Sequence, residues 1–225
     1  MLKVVVLDSG WGGEMVADYI EEELAILEVI RVIDWRGAPY MGKTRMEILQ
    51  RVERLLRPYL GRVQAVVLAG FIPSLVVDAL RRRHPGTKFV DFNLNKLRIT
   101  GVPVKKVMIL ADSRLKETAE YKELRWRAWL YTTEIMEPDC DRWRRMIDEG
   151  EMTPEYLRRE LEPYLQGERV DVLMVANTHF WDIRRELIRI LRWQVRVVDY
   201  RQGMLRELCK ALRLRGIDGR RVNRG

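Results

Sequence analysis

The sequence predicts an α/β protein built from parallel β-strands covered by helices. Seven short runs rich in β-branched residues recur along the 225-residue chain, and each is too apolar for a strand with one face in water. The longer segments between them carry apolar residues at helical spacing, with charged residues on the opposite face. Strands that alternate with helices in this way are typical of a parallel sheet with helices on both faces.

The apolar runs predict strands at residues 4–7, 29–33, 66–68, 89–90, 107–110, 172–175 and 195–198. The helical spacing predicts helices at residues 15–27, 45–60, 74–83, 115–131, 154–165, 181–192 and 204–214. The third of these helices has three arginines in its last turn and then Pro85 and Gly86, which is the expected end of a helix because cations favour its negative pole.

A weak internal repeat predicts two similar halves. Asp8 and Gly70 end two apolar runs of the first half, and Asp112 and Asn177 end two runs of the second half at a similar interval. We therefore expect two pseudo-symmetric, flavodoxin-like parallel-sheet domains, of residues 1–93 plus 199–225 and of residues 94–198. Because open α/β sheets bind ligands outside their strand ends, we expect the ligand in a cleft between the two domains.

The charge and hydropathy of the chain exclude several classes of protein. The formal net charge is +8 and the pI is about 9.6, which favours an anionic partner. The basic residues are spread along the chain and interleaved with acids, so a nucleic-acid partner is not expected. The sequence has neither a run of about 18 apolar residues nor a signal-peptide pattern, so we expect a cytoplasmic protein without a membrane span.

The two cysteines of the chain, Cys140 and Cys209, lack the spacing of metal ligands. We interpret them as structural thiols, and we predict neither a metal site nor another cofactor.

Residues 8–13, with the sequence DSGWGG, follow the first predicted strand and lead into a helix. Glycine permits a close approach of the backbone to a ligand, and free N–H groups at a helix start attract carboxylates and phosphates. The segment therefore predicts either an anion site or a tight strand-to-helix turn without a ligand.

Residues 37–44, with the sequence GAPYMGKT, fit the phosphate-binding P-loop pattern G-x-x-x-x-G-K-[ST] between a strand and a helix. The pattern is short, and no convincing acidic strand end for a magnesium ion accompanies it. A nucleotide-binding loop at residues 37–44 is therefore an alternative prediction. Lysine and threonine at a helix start favour an anion in either case.

Two further segments follow buried strands. Residues 69–74, AGFIPS, place Gly70 and Phe71 before a helix that begins with proline, and a structural role accounts for them. Residues 176–180, ANTHF, place Asn177, Thr178 and His179 at another strand end. A histidine there either transfers a proton near pH 7 or is only hydrogen-bonded.

The four segments together resemble the active-site segments of the aspartate/glutamate racemase superfamily, glutamate racemase above all, in order and in spacing. The family's D-S-G-x-G-G, P-Y-G-x-K-[ST], A-C-N-T-A-S and G-C-T-H-[FY] are similar to residues 8–13, 39–44, 69–74 and 176–180. The resemblance implies a site between two pseudo-symmetric domains. It implies that the ligand is bound by Ser9, Gly10, Trp11, Pro39, Tyr40, Gly42, Lys43, Thr44, Gly70, Phe71, Asn177, Thr178 and His179.

The chain departs from this family at the residues that transfer protons. The third and fourth segments of the family each carry a catalytic cysteine, and Gly70 and Asn177 stand at those positions here. Racemisation by the family removes the α-proton with one thiolate and returns a proton from a thiol on the opposite face. Glycine has no titratable group, and the asparagine amide is not a useful base.

Two functional hypotheses follow. The first is a racemase-like protein that lacks the two-thiol chemistry and either binds a small anionic or amino-acid-like ligand or acts through protein contacts. The second is an active racemase, isomerase or lyase with Asp8 and His179 as a rebuilt acid/base pair, or a nucleotide binder. Homodimers are common in the family. Four bulky residues suggest a cleft that is filled or reshaped for an apolar ligand: Trp11, Trp35, Phe71 and Trp181.

Overall fold

A computed structural model describes residues 1–40, 42–94, 97, 104–166, 169–191 and 194–214. The chain divides into two compact units. Of the described residues, those within 1–93 and 201–214 form the first unit and those within 94–200 form the second. Within the described ranges, every helix is too short or too polar to span a membrane.

The first unit is a parallel sheet with helices between its strands. Its elements up to residue 93 are β1 (Leu2–Asp8), α1 (Trp11–Glu23), β2 (Leu27–Ile33), α2 (Arg45–Leu56), β3 (Ala65–Leu68), α3 (Phe71–Ser74), α4 (Val77–Arg83) and β4 (Phe89–Asp91). The strand order is β2-β1-β3-β4, and every neighbouring pair is parallel.

The second unit repeats this topology. Its strand order is β6-β5-β7-β8, again with parallel neighbours. Its elements are β5 (Val104–Leu110), α5 (Ser113–Lys116), α6 (Ala119–Trp129), β6 (Thr132–Met136), α7 (Asp141–Asp148), α8 (Pro154–Leu161), β7 (Val172–Val175), α9 (Arg184–Ile190) and β8 (Arg196–Val198). The chain then returns to the first unit as α10 (Arg201–Ala211), which packs against β3, β4 and α1.

The central strands carry the core of each unit. All four residues of β3 are buried, as are the last five of β1, because helices cover both faces of these strands. In the second unit, β7 and the last four residues of β5 are buried in the same way. The edge strands β2 and β8 are only half-buried. The predicted α/β class with two parallel sheets is therefore confirmed.

Several helices begin at a side chain that caps their free N–H groups. The hydroxyl of Thr44 accepts a hydrogen bond from the Glu47 N–H, and the Glu47 carboxylate accepts one from the Thr44 N–H. Asp112, Thr118 and Thr153 cap α5, α6 and α8. Each cap satisfies donors that the helix itself leaves unpaired.

The structure corrects the predicted boundaries at several places. The first helix begins at Trp11 and ends at Glu23, so that Leu27 belongs to β2. The helix predicted at 115–131 is two helices, because Thr118 caps a new one. The helices predicted at 154–165 and 181–192 end earlier, and the last begins at Arg201.

Two elements were not predicted at all. The strand β6 lies at the sheet edge and exposes four of its five residues fully or partly to solvent, so it lacks the apolar run that marked the other strands. The next element along the chain, α7, is a short helix, and its arginines obscure the apolar spacing that would predict a helix.

Candidate functional site

The strand order of each unit identifies the edge at which open α/β sheets bind their ligands. The chain moves from β1 to β2 on one side of the sheet and then to β3 on the other side, so the carboxyl ends of β1 and β3 flank a crevice. Asp8 ends β1 and Gly70 follows β3. In the second unit Asp112 follows β5 and Asn177 follows β7, at the corresponding positions.

Asp8 is a buried carboxyl at this edge. Only 5% of its surface is exposed, and its Oδ1 accepts a hydrogen bond of 2.8 Å from the Ser9 N–H. Burial raises the pKa of Asp8 to about 7, although the Ser9 hydrogen bond acts in the opposite direction. A carboxyl with this pKa is present in both protonation states near neutral pH.

Gly70 gives Asp8 the space that it occupies. A Cβ atom on Gly70 would lie 2.4 Å from Asp8 Oδ1 and 3.0 Å from its Cγ. The backbone of Gly70 is extended, with φ of −102°, so the glycine is required for space and not for its conformation. The carboxyl of Asp8 thus fills the place where a side chain at position 70 would begin.

The first turn of α1 is open next to Asp8. Its N-cap residue is Gly10, which brings no side-chain hydrogen bond to the turn. A Cβ atom on Gly10 would meet no atom within 4 Å beyond its chain neighbours. Trp11 begins the helix and is exposed, as is Trp35 after β2. The open turn of a 13-residue helix suits an anion.

A buried polar cluster holds the segment that follows β2. Asp34 accepts hydrogen bonds from the Gly37 N–H at 2.9 Å, from the Tyr40 hydroxyl at 2.8 Å and from both Nε and Nη2 of Arg51. Burial alone would raise the pKa of Asp34, but the guanidinium of Arg51 and the Tyr40 hydroxyl outweigh it and hold the pKa below its usual range. A Cβ on Gly37 would collide with this cluster.

This cluster changes the interpretation of Tyr40. Its side chain is buried and its hydroxyl donates to Asp34, so the side chain helps to position the loop, and a role of Tyr40 in binding stays a prediction. The sequence analysis missed Asp34 and Arg51 as functional candidates. Neither belongs to one of the four segments.

The geometry of residues 37–40 and 42–44 does not support a P-loop. A P-loop cradles phosphate with free backbone N–H groups, but the N–H groups of Gly37 and Ala38 donate to the Asp34 carbonyl and that of Lys43 to the Tyr40 carbonyl. The Lys43 ammonium donates to the Pro39 carbonyl at 2.8 Å. The hydroxyl of Thr44, which would bind magnesium, is engaged in the helix cap with Glu47.

A second polar chain lies at the strand ends of the other unit. Asn177 Nδ2 donates to Asp112 Oδ2 at 3.1 Å, and Asn177 Oδ1 accepts from the His179 N–H at 3.0 Å. The same oxygen lies 3.0 Å from His179 Nδ1, and Nε2 of that ring lies 3.4 Å from Asp148 Oδ1. The Asn177 amide therefore links Asp112, to which its nitrogen donates, with His179, from which its oxygen accepts. The sequence analysis missed Asp148, because it lies on the unpredicted helix α7.

Burial lowers the pKa of His179, while the carboxylate of Asp148 acts in the opposite direction. Since Asn177 Oδ1 accepts from two His179 nitrogens, Nδ1 carries a proton in this arrangement. The ring is then oriented with Nε2 toward Asp148.

The structure brings the predicted site residues together in two groups. In the first unit the strand ends of β1 and β3 gather Ser9, Gly10, Trp11, Gly70 and Phe71. In the second unit, Asn177, Thr178 and His179 follow β7 in a short 3₁₀ turn, with Thr178 buried. The remaining residues lie in the loop after β2, where Pro39, Gly42, Lys43 and Thr44 are exposed. Their roles in binding stay predictions.

Neither thiol of the chain belongs to one of the four segments. Cys140 precedes α7, is buried, and has a pKa that burial raises to about 12. Cys209 lies within α10, where burial also raises its pKa. Thiols of this kind are poor nucleophiles and poor bases at neutral pH. Among the residues that the structure describes, no group of three acidic, histidine or cysteine side chains is arranged to bind a metal ion.

Comparison with known proteins gives consistent relatives, although no family model matches the chain. A glutamate racemase of Leptospira borgpetersenii is 30% identical over 219 residues, which are 95% of this chain and 83% of the relative. A glutamate racemase of Aquifex aeolicus is 24% identical over 213 residues, which are 92% of this chain and 82% of the relative.

Solved structures share the fold. The glutamate racemase of Escherichia coli, in complex with L-glutamate and an activator, superimposes with a TM-score of 0.75 at 23% identity and covers 96% of this chain and 84% of its own. An allantoin racemase of Klebsiella pneumoniae gives a TM-score of 0.61 at 14% identity, over 95% of this chain and 89% of its own. Taken with the Leptospira sequence, these matches show that the chain belongs to the glutamate racemase family, within the aspartate/glutamate racemase superfamily.

Proposed function

We propose that this member of the racemase family binds a small anionic or amino-acid-like ligand at its strand ends and does not racemise it by two thiols. Position 70 carries the proposal, because glycine has no titratable group and the Asp8 carboxyl occupies the space where a side chain would begin. A side chain at position 70 cannot be accommodated while the Asp8 carboxyl stays where it is, since a Cβ would lie 2.4 Å from Oδ1.

The chemistry of the second unit supports the same conclusion. Two-sided proton transfer needs a titratable group on each face of the substrate. Asn177 has none, and its amide is held between Asp112 and His179. Each lost acid or base typically reduces the rate by about 10²–10⁴-fold, so the loss of both thiols leaves little of the family's activity.

The open first turn of α1 supports the binding of an anion. The N-cap residue Gly10 has open space around it at the end of β1, and the net charge of +8 raises the local concentration of anions around the chain. The structures of relatives in complex with L-glutamate and with D-glutamate favour an amino-acid-like ligand for this chain. A homodimeric state and a cytoplasmic location stay predictions.

Hydrogen exchange at the α-carbon tests the proposal. The protein is incubated with L- or D-glutamate or aspartate in D₂O, with a glutamate racemase that has both cysteines as the positive control, and α-deuterium is measured by NMR. We expect none above the rate without protein. Calorimetric titration of the same amino acids tests binding, and no heat at millimolar concentration would remove the ligand from the proposal.

A second function is favoured by the pKa of Asp8. A buried carboxyl with a pKa of about 7 is suited to take up and release a proton near neutral pH, and His179 is a second titratable group. An isomerase or lyase could use these two groups in place of thiols. Deuterium incorporation in the same experiment, abolished by Asp8→Asn, would favour this function over the first.

A further inference from the structure

We infer that the ligand carries a flat or bulky apolar group, which packs on Trp11 and Trp35, next to its anionic group. The inference rests on the proposed function and names the class of ligand. That class is a carboxylate with an aromatic or branched apolar substituent, as opposed to a dicarboxylic amino acid.

An aromatic residue follows each of three neighbouring strands. In the order β2-β1-β3, these residues are Trp35, Trp11 and Phe71, and Asp8 ends the central strand. Because the strands are parallel, their carboxyl ends meet at one edge of the sheet. The backbone links neighbouring ends directly, since the Asp34 N–H donates to the Asp8 carbonyl at 2.9 Å. The aromatic side chains thus border the same strand ends as the open turn of α1.

The two tryptophans form an exposed pair. Their ring centroids are 6.2 Å apart and their planes are inclined by 49°. Trp11 is 46% exposed and Trp35 is 54% exposed. Exposed tryptophans at a ligand edge provide a large apolar area with few rotatable bonds, and the ring faces favour an aromatic or apolar group.

The neighbouring residues are unsuited to a second carboxylate. Phe71 and Ile72 begin α3 after Gly70, are half-buried, and have side chains without hydrogen-bond donors. These side chains offer the distal carboxylate of glutamate neither a hydrogen bond nor an opposite charge in exchange for its hydration. Cations do lie in the loop after β2, where Arg36 and Lys43 are exposed, so one anionic group remains favourable at this edge.

Titration calorimetry with the full chain tests the inference. The ligands are phenylalanine and glutamate in both enantiomers, phenylacetate, acetate and AMP. The variants are Trp11→Ala and Trp35→Ala, with Trp126→Ala as the matched control, because Trp126 is 58% exposed on α6 of the other unit. Thermal unfolding checks that each variant is folded.

We expect phenylalanine or phenylacetate to bind at least tenfold more tightly than glutamate and acetate. Each of the two variants at the site should weaken that binding about fivefold, which is the size of one aromatic contact, and Trp126→Ala should not. Three results would overturn the inference and leave the proposed function standing. They are binding of glutamate as tight as that of phenylalanine and phenylacetate or tighter, binding of AMP that is tighter than theirs, and an affinity for them that Trp11→Ala does not change. If no carboxylate binds at millimolar concentration, both fail together.

Discussion

The carboxyl of Asp8 lies directly against the backbone of Gly70, at the ends of β1 and β3. A Cβ on Gly70 would be 2.4 Å from Asp8 Oδ1, which is closer than non-bonded atoms can approach. The contact follows from the register of the two strands, in which Leu7 pairs with Leu68 and the Ala69 N–H donates to the Leu7 carbonyl at 2.9 Å. In this arrangement the Asp8 carboxyl occupies the space that a side chain at position 70 would need.

The first prediction concerns the methyl group that Gly70 lacks. Gly70→Ala forces the Asp8 carboxyl away from its hydrogen bond with Ser9, and overpacking of a buried site typically costs about 1–3 kcal/mol. We expect a loss of that size in the free energy of unfolding, measured by urea denaturation. Gly86→Ala is the control, because a Cβ there meets no atom within 4 Å, and it should change stability by less than about 0.5 kcal/mol.

A double variant locates the cause of this loss. If the methyl group acts by colliding with the carboxyl, Asp8→Ala should remove most of the cost of Gly70→Ala, giving a clear coupling energy in a double-mutant cycle. Additive effects of the two substitutions would show that position 70 is intolerant for another reason.

The second prediction concerns the pH dependence of stability. The pKa of Asp8 is about 7 in the folded chain and 3.8 in its ordinary state, so between these values the folded state holds a proton that the unfolded chain releases. The stability that this proton contributes is present below about pH 4 and is lost as the pH rises to 7. The loss is on the order of 4 kcal/mol for a shift of this size.

Asp8→Asn removes the titration and keeps the shape. We therefore expect the variant to gain stability relative to the natural chain as the pH rises from 4.5 to 8, when both are unfolded in urea. Asp182→Asn, at an exposed position, should show no such trend. A constant difference between the natural chain and Asp8→Asn across this range would mean that Asp8 is already ionised at pH 4.5.

The strands and most helices were predictable because their signals are local. A run such as residues 172–175 is apolar on both faces, and this alone predicts a central parallel strand, as observed for β7. The edge strand β6 gives no such signal, because its first three residues are polar and only Met136 is buried. Short apolar runs therefore predicted the central strands of both sheets and missed the edge strand β6.

The contacts of the candidate site were not predictable in the same way. The segments showed that Asp8 and Gly70 both follow strands, but the clash at a Cβ depends on the pairing of β1 with β3. The pairing of Asp34 with Arg51 depends on where α2 lies, 17 residues further along the chain. In the same way, the approach of His179 to Asp148 requires α7, which the sequence pattern did not indicate.

The third prediction concerns the amide of Asn177. Its Nδ2 is 3.1 Å from Asp112 Oδ2, and Asn177→Asp would replace this donor with a second carboxylate at the same distance. Two carboxylates so close raise the pKa of one of them, so the variant loses stability as the pH rises through that pKa. We expect little loss at pH 5 and on the order of 3 kcal/mol at pH 8, measured by urea denaturation.

The exchanged pair distinguishes this charge effect from a change of shape. Asp112→Asn combined with Asn177→Asp restores one amide and one carboxylate, and the oxygen of an asparagine at position 112 can still accept the Leu115 N–H that caps α5. An aspartate at position 177 can likewise accept the N–H of His179. The exchanged chain should therefore recover most of the stability that Asn177→Asp loses at pH 8. If the exchanged chain is instead destabilised to the same extent at every pH, the hydrogen bond between positions 112 and 177 is not what holds these strand ends.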